Sequence, residues 1–219
     1  MQLVKLVVQL NLAEPMRPWL DLRAVIRAAV GDEGSEIQAP PFNFDSAKLK
    51  RRVILQLRTI TVHDERDSDL PRAVHRMVDV FESIHRASPF EAVLSMTTEA
   101  SFIEPLDLPF HEAVASVKSG MLARSALVDS SSDVGVSLDF DEGDVFRHVQ
   151  VGPMELSQLK GEILRWPDSD LAPVFVYLNL RQRQQLAEFD AKKAAEMLNS
   201  AGEWQVRQAE AVLQTLQLR

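Results

Sequence analysis

Arg51-Arg52-Val53-Ile54-Leu55-Gln56-Leu57-Arg58-Thr59-Ile60-Thr61-Val62-His63-Asp64 carries the strongest strand signal in the chain. Read as one strand, it puts Val53, Leu55, Leu57, Thr59 and Thr61 on one face. Arg52, Ile54, Gln56, Arg58, Ile60 and Val62 then occupy the other. A period of two with one more polar face fits a sheet packed on one side. Just upstream, Phe42 and Phe44 flank Asn43 as a short strand. Residues 45–50 form a turn, so the two runs predict a hairpin.

Downstream, residues 63–69 form a charged loop. Asp69 and Pro71 are a helix-start pair, aspartate as cap and proline in the first turn. Val74, Met77, Val78, Phe81 and Ile84 recur at helical spacing and predict one buried stripe, closed by Pro89. Residues 92–103 read as a threonine-rich strand ended by Pro105. Upstream, residues 3–12 are a valine- and leucine-rich strand. Trp19, Leu22, Val25, Ile26 and Ala29 then predict a helix stopping near Gly31. The order strand, helix, strand, strand, helix, strand is the ferredoxin-like order.

The second half repeats the theme. Residues 110–122 predict a helix. Val134, Val136 and Leu138 alternate as a strand, and residues 145–151 pair back across the turn Asp141-Glu142-Gly143-Asp144. Val151-Gly152-Pro153-Met154 reads as a strand-to-helix turn, residues 154–164 as a short helix and 174–180 as a strand. Residues 189–218 read as a long helix bent at Gly202. The fold class expected is α+β: antiparallel sheet or sheets built from one or two ferredoxin-like βαββαβ units, with a long C-terminal helix. Residues 1–105 and 106–219 form two α+β halves, separate or in one continuous domain, and an internal duplication is a hypothesis.

The chain has 219 residues, 46% hydrophobic and 26% charged, with a formal net charge of −8. A chain this long buries roughly 70% of its unfolded surface, so it needs no disulfide or metal for stability. It has no cysteine, which excludes thiolate metal sites and thiol catalysis. The first ten residues are interrupted by Lys5 and Gln9, which does not suit a signal peptide. No run approaches the ~20 apolar residues of a membrane span. A cytoplasmic location is therefore expected. The acidic balance argues against a nucleic-acid partner, and a membrane partner is not expected either.

Two acidic clusters are candidate metal sites. His63, Asp64, Glu65, Asp67 and Asp69 lack the glycine and terminal glutamate of a calcium loop, so capping and solvation explain them. Asp139 and Asp141, two apart on a strand, share a face. With Asp144 they are the candidate metal ligands, and with His148 the candidate catalytic residues, since paired carboxylates hold metals in many nucleases. A plain hairpin tip is the competing reading. No HExxH motif, G-x-S-x-G elbow, P-loop or G-x-G-x-x-G occurs. No cofactor is expected. Trp166 and Trp204 read as core or helix-packing residues.

Three stretches carry a resemblance. They are 100–105 running into Phe110-His111-Glu112, 148–154, and 174–180 with the helix that follows. Together they resemble a sporadically distributed family of uncharacterised bacterial proteins. The resemblance implies a bacterial protein and no catalytic residues.

The leading expectation is a non-enzymatic protein-binding or scaffold component of a bacterial cytoplasmic complex, with a protein partner or a homodimer. One alternative is a divalent-metal-dependent phosphoryl-transfer or nuclease enzyme using Asp139, Asp141 and His148. Another is an acidic inhibitor that imitates nucleic acid.

Overall fold

The computed structural model describes residues 1–15, 42–66, 68–90, 92–123, 125–168, 170–186 and 189–216. The helix expected over 19–29 lies outside them. Eight strands are described: β1 (Gln2–Leu12), β2 (Phe42–Ser46), β3 (Arg51–Leu55), β4 (Thr59–Asp64), β5 (Val93–Leu106), β6 (Val136–Glu142), β7 (Val145–Glu155) and β8 (Val174–Gln185). They form one antiparallel sheet in the order β2-β3-β4-β1-β5-β8-β7-β6. The helices are α1 (Leu70–Ala87), α2 (Phe110–Met121), the short α3 (Ala126–Ser130) and the long α4 (Ala191–Thr215). None of these helices is long and apolar enough to cross a membrane.

The expected single strand over 51–64 is instead the β3–β4 hairpin. Val53 pairs with Val62 and Leu55 with Ile60. Gln56 N–H donates to the Thr59 carbonyl at 2.9 Å, and Thr59 Oγ1 to Gln56 Oε1 at 2.8 Å. The reversal changes the face of everything after it, so Val53, Leu55, Ile60 and Val62 all reach the same core. Leu57, at the turn, is 60% exposed.

That extra strand alters the topology. In each half a first strand is followed by a connection and then a three-stranded meander whose last strand returns beside the first. The first half runs β1, then β2-β3-β4, then α1. The second runs β5, then β6-β7-β8, then α4. This is a Greek-key order, repeated, and the ferredoxin-like unit is not confirmed. The halves join along β1 and β5, where Val8 lies opposite Thr98 and Leu6 opposite Ala100. Both therefore share one sheet.

One sheet face carries the main core. Leu6, Val8, Leu10 and Leu12 of β1 and Leu178 and Leu180 of β8 meet Met77, Phe81 and Ile84 of α1 and Leu198 and Trp204 of α4. Asp69 caps α1 as expected, its Oδ1 accepting the Arg72 N–H at 3.2 Å. Within this layer Asp64, 2% exposed, joins three elements. Its Oδ2 receives Arg51 Nε and Nη2 from β3 at 3.2 and 3.1 Å and Arg76 Nε from α1 at 3.1 Å. Its Oδ1 receives Arg76 Nη2 at 3.1 Å and the Arg66 N–H at 2.9 Å.

Two strands pass through prolines that were expected to end or turn them. β1 stops opposite Ile103, so beyond it β5 has a neighbour on one side only, and Pro105 needs no second partner. Likewise β6 ends opposite Val151. β7 continues through Gly152 and Pro153 against β8, and no strand-to-helix turn forms there. A Cβ on Gly152 would sit 2.9 Å from the Val134 carbonyl oxygen, so glycine admits the chain entering β6. Gly202 lies inside α4, where a Cβ would meet Leu70 Cδ2 at 2.8 Å. The residue lets α4 close against the start of α1.

Among the described residues, the opposite sheet face is covered at one end only. The connection from β7 to β8, with a short helical turn at Leu156–Gln158 and a wider one at Leu159–Ile163, lays Leu159 and Leu164 over Val4, Ile103, Phe175 and Tyr177. Beyond that small cluster the face is polar.

Candidate functional site

The residues singled out as metal or catalytic candidates lie on the β6–β7 hairpin, at the edge of the sheet. Gly143, at φ +72°, opens the two-residue connection between Glu142 and Val145. A positive φ there suits the primed turns whose twist matches a hairpin. Asp139 faces His148 across the strands, and His148 Nδ1 lies 2.6 Å from Asp139 Oδ1. The imidazole Nε2 is 3.5 Å from Ser137 Oγ, at the limit of a hydrogen bond. Asp141 pairs with Phe146 instead, and Asp144 lies in the turn. Asp139, Asp141 and Asp144 are all exposed. Among the described residues no three histidine, aspartate or glutamate side chains converge as a metal site. The hairpin thus orients one histidine by one carboxylate on an open edge.

The other acidic cluster disperses for structural reasons. Asp64 is held between two arginines, and Asp69 caps α1. Glu65 accepts the backbone N–H groups of Arg165 and Trp166, at 3.1 Å each to Oε2, and so ties down the β7–β8 connection. Asp67 lies outside the described residues. His63 points to the opposite face from Asp64, beside Arg52 and Lys5 along a cavity of ≈ 290 Å³. Burial, with the charges of Lys5 and Arg52 adding to it, pushes its pKa down to about 4.

The polar sheet face holds a connected network that the sequence reading did not single out. Glu99 on β5 receives Arg181 Nε and Nη2 at 3.0 and 2.7 Å and Asn179 Nδ2 at 2.9 Å. Asn179 Nδ2 also reaches Ser101 Oγ at 3.2 Å, and Ser101 Oγ lies 3.3 Å from the Tyr177 hydroxyl. Burial alone would raise the Glu99 pKa. The donors Asn179 and Arg181, with the charges of Arg181 and Lys5, outweigh it and hold the carboxyl below its ordinary value. Burial raises the Tyr177 pKa. The network borders a groove of ≈ 480 Å³ that includes Gln9, Asn11, Thr97, Arg183 and Phe146. Its signal in the sequence is the alternation Ser95, Thr97, Glu99, Ser101 on β5 beside Tyr177, Asn179, Arg181, Arg183 on β8, two adjacent strands polar on one face.

β6 itself is the least protected strand. Only Val136 is buried, and residues 137–142 are all exposed. Leu138 and Phe140 are each 41% exposed, and Phe146 is 40% exposed. Among the described residues no strand pairs with its outer side. By contrast, every residue of β2, at the far edge, is buried or half-buried. Trp204 is core, with the Arg147 guanidinium 5.0 Å above its ring, while Trp166 is partly buried under Arg165 at 5.3 Å. No family model and no curated protein matches the chain.

Proposed function

We propose that this chain is a non-enzymatic protein-binding component of a bacterial cytoplasmic complex and that β6 is the edge with which it binds. One observation supports the reading: an edge strand whose outer side no described strand pairs with and which displays Leu138 and Phe140 to solvent. An exposed edge of this kind is a template for strand addition. Covering Leu138 or Phe140 under a partner contributes about 1–2 kcal/mol each. Main-chain hydrogen bonds then fix the register.

The test is affinity capture and crosslinking with the wild-type chain and with Phe140→Lys, repeated with each captured protein after purification. Lysine on an edge strand discourages pairing. The reading expects a stoichiometric partner that the variant loses while its thermal midpoint is unchanged. Capture indifferent to Phe140→Lys would end it.

The Asp139–His148 contact gives some support to a second reading, a metal-dependent phosphoryl-transfer or nuclease enzyme using Asp139, Asp141 and His148. Thermal unfolding with magnesium, manganese, calcium or zinc separates the two. A metal at a hundred times its dissociation constant stabilises by about 2.7 kcal/mol. The enzyme reading requires that rise and its loss in an Asp139→Asn/Asp141→Asn double variant.

A further inference from the structure

We infer that the partner segment taken up by β6 is extended, with basic and apolar residues in alternation. This rests on the reading of β6 as the binding edge and adds the chemistry of what binds there. Asp139 and Asp141 lie two apart and face one side of the sheet, while Leu138 and Phe140 face the other. A strand laid beside β6 sets its own side chains alternately against those two faces. Cationic residues then meet the carboxylates, and apolar residues meet Leu138 and Phe140. The edge retains charge to spend: Asp139 contacts His148 and Glu142 pairs with Arg147, but among the described residues neither Asp141 nor Asp144 has a cationic partner. Side chains opposite one another sit about 5 Å apart, close enough for charge to discriminate.

The same arrangement disfavours a second copy of the chain. Antiparallel pairing of β6 with β6 brings Asp139 and Asp141 of both copies onto one face. Like charges in cross-strand positions are destabilising. The polar sheet face is a weaker binding candidate, because Glu99, Arg181, Asn179, Ser101 and Tyr177 already satisfy one another.

The experiment uses the full chain and fluorescent peptides of about ten residues, the upper range of ordinary strands. One alternates lysine with valine, one alternates glutamate with valine, and one carries the lysines of the first in a single block. Anisotropy reads affinity, and amide hydrogen exchange reads the site. The lysine–valine peptide binds and slows exchange across Val136–Glu142. The other two bind at least about tenfold more weakly, as expected when charge and register both fail. Asp141→Asn/Asp144→Asn weakens binding roughly fivefold, the scale of two exposed charge pairs. Phe140→Lys abolishes it, and Leu138→Lys serves as the second position should the first variant unfold.

Equal binding of the glutamate–valine or blocked peptide overturns the inference, as does binding without protection of β6. A dimer in light scattering that Phe140→Lys dissolves also overturns it, by making a second copy the occupant. If the peptides fail while Phe140→Lys still abolishes capture of a native partner, the edge reading stands and the alternating basic chemistry falls. If neither responds to Phe140→Lys, both fall.

Discussion

Replacing Asp64 with asparagine removes a buried negative charge that both Arg51 and Arg76 contact, while keeping nearly the same shape. Asp64 is 2% exposed, and Arg51 is 6% exposed. Two guanidinium groups and one backbone amide converge on its oxygens. The amide nitrogen of asparagine adds a donor where the wild type has only acceptors, and the two guanidinium groups lose the carboxylate they share. Breaking a buried pair by removing one partner costs about 3–5 kcal/mol. For a chain of this size that lowers the thermal midpoint by about 6–20 °C. The assay is urea unfolding with a parallel thermal melt at low and high salt, because buried pairs are screened little. A cost below about 1 kcal/mol, the range of exposed pairs, would refute the argument and mean that water reaches the site.

Two further outcomes follow from particular side chains. The His63 pKa is lowered to about 4 in the fold against an ordinary 6.5, so the unfolded chain binds the extra proton between those values. Stability from this group is intact above about pH 6.5 and falls as the pH drops toward 4, by on the order of 3 kcal/mol. His63→Gln should flatten that part of a stability–pH curve, and an unchanged slope would show that His63 is not responsible. At Gly202, alanine improves helix propensity by about 1 kcal/mol but collides with Leu70. A double-mutant cycle should therefore show Gly202→Ala more favourable in a Leu70→Ala background than in wild type; strict additivity would remove the contact from the account.

The sequence announces some parts of this fold through local chemistry. Asp69 with Pro71 marks the start of α1, and Gly143 marks the β6–β7 turn, because capping and positive φ demand particular residues. The β3–β4 turn has no such mark. Gln56-Leu57-Arg58-Thr59 contains no glycine, proline, asparagine or aspartate, and alternation runs on through Leu57. The available clue is a phase change: Val53 and Leu55 are odd-numbered, Ile60 and Val62 even, and all four are too apolar to share opposite faces of a half-solvated strand. Without that break the run counts as one strand instead of two, and the element order takes the ferredoxin-like form. For the candidate site, the Asp139–Asp141 side of β6 was legible from spacing of two. What alternation does not supply is that β6 ends the sheet, because edge position follows from which strand pairs with which. The Glu99 network was hidden for the same reason, since its members come from β5 and β8 and meet only through their register.

The repeated Greek key has a consequence for assembly. Two identical copies of one half, joined along their first strands, would leave two equivalent outer edges. Any partner-seeking edge would then occur twice, and a molecule with two sticky ends can propagate into a filament. Here the halves are covalently linked and their outer strands differ. β2 has withdrawn its side chains, with Asp45 held by Arg52 and Arg165, while β6 has kept its own exposed. Joining two halves in one chain thus permits an asymmetry that a symmetric pair cannot have: two outer strands of different character, one with its side chains held inward and one with them exposed to solvent.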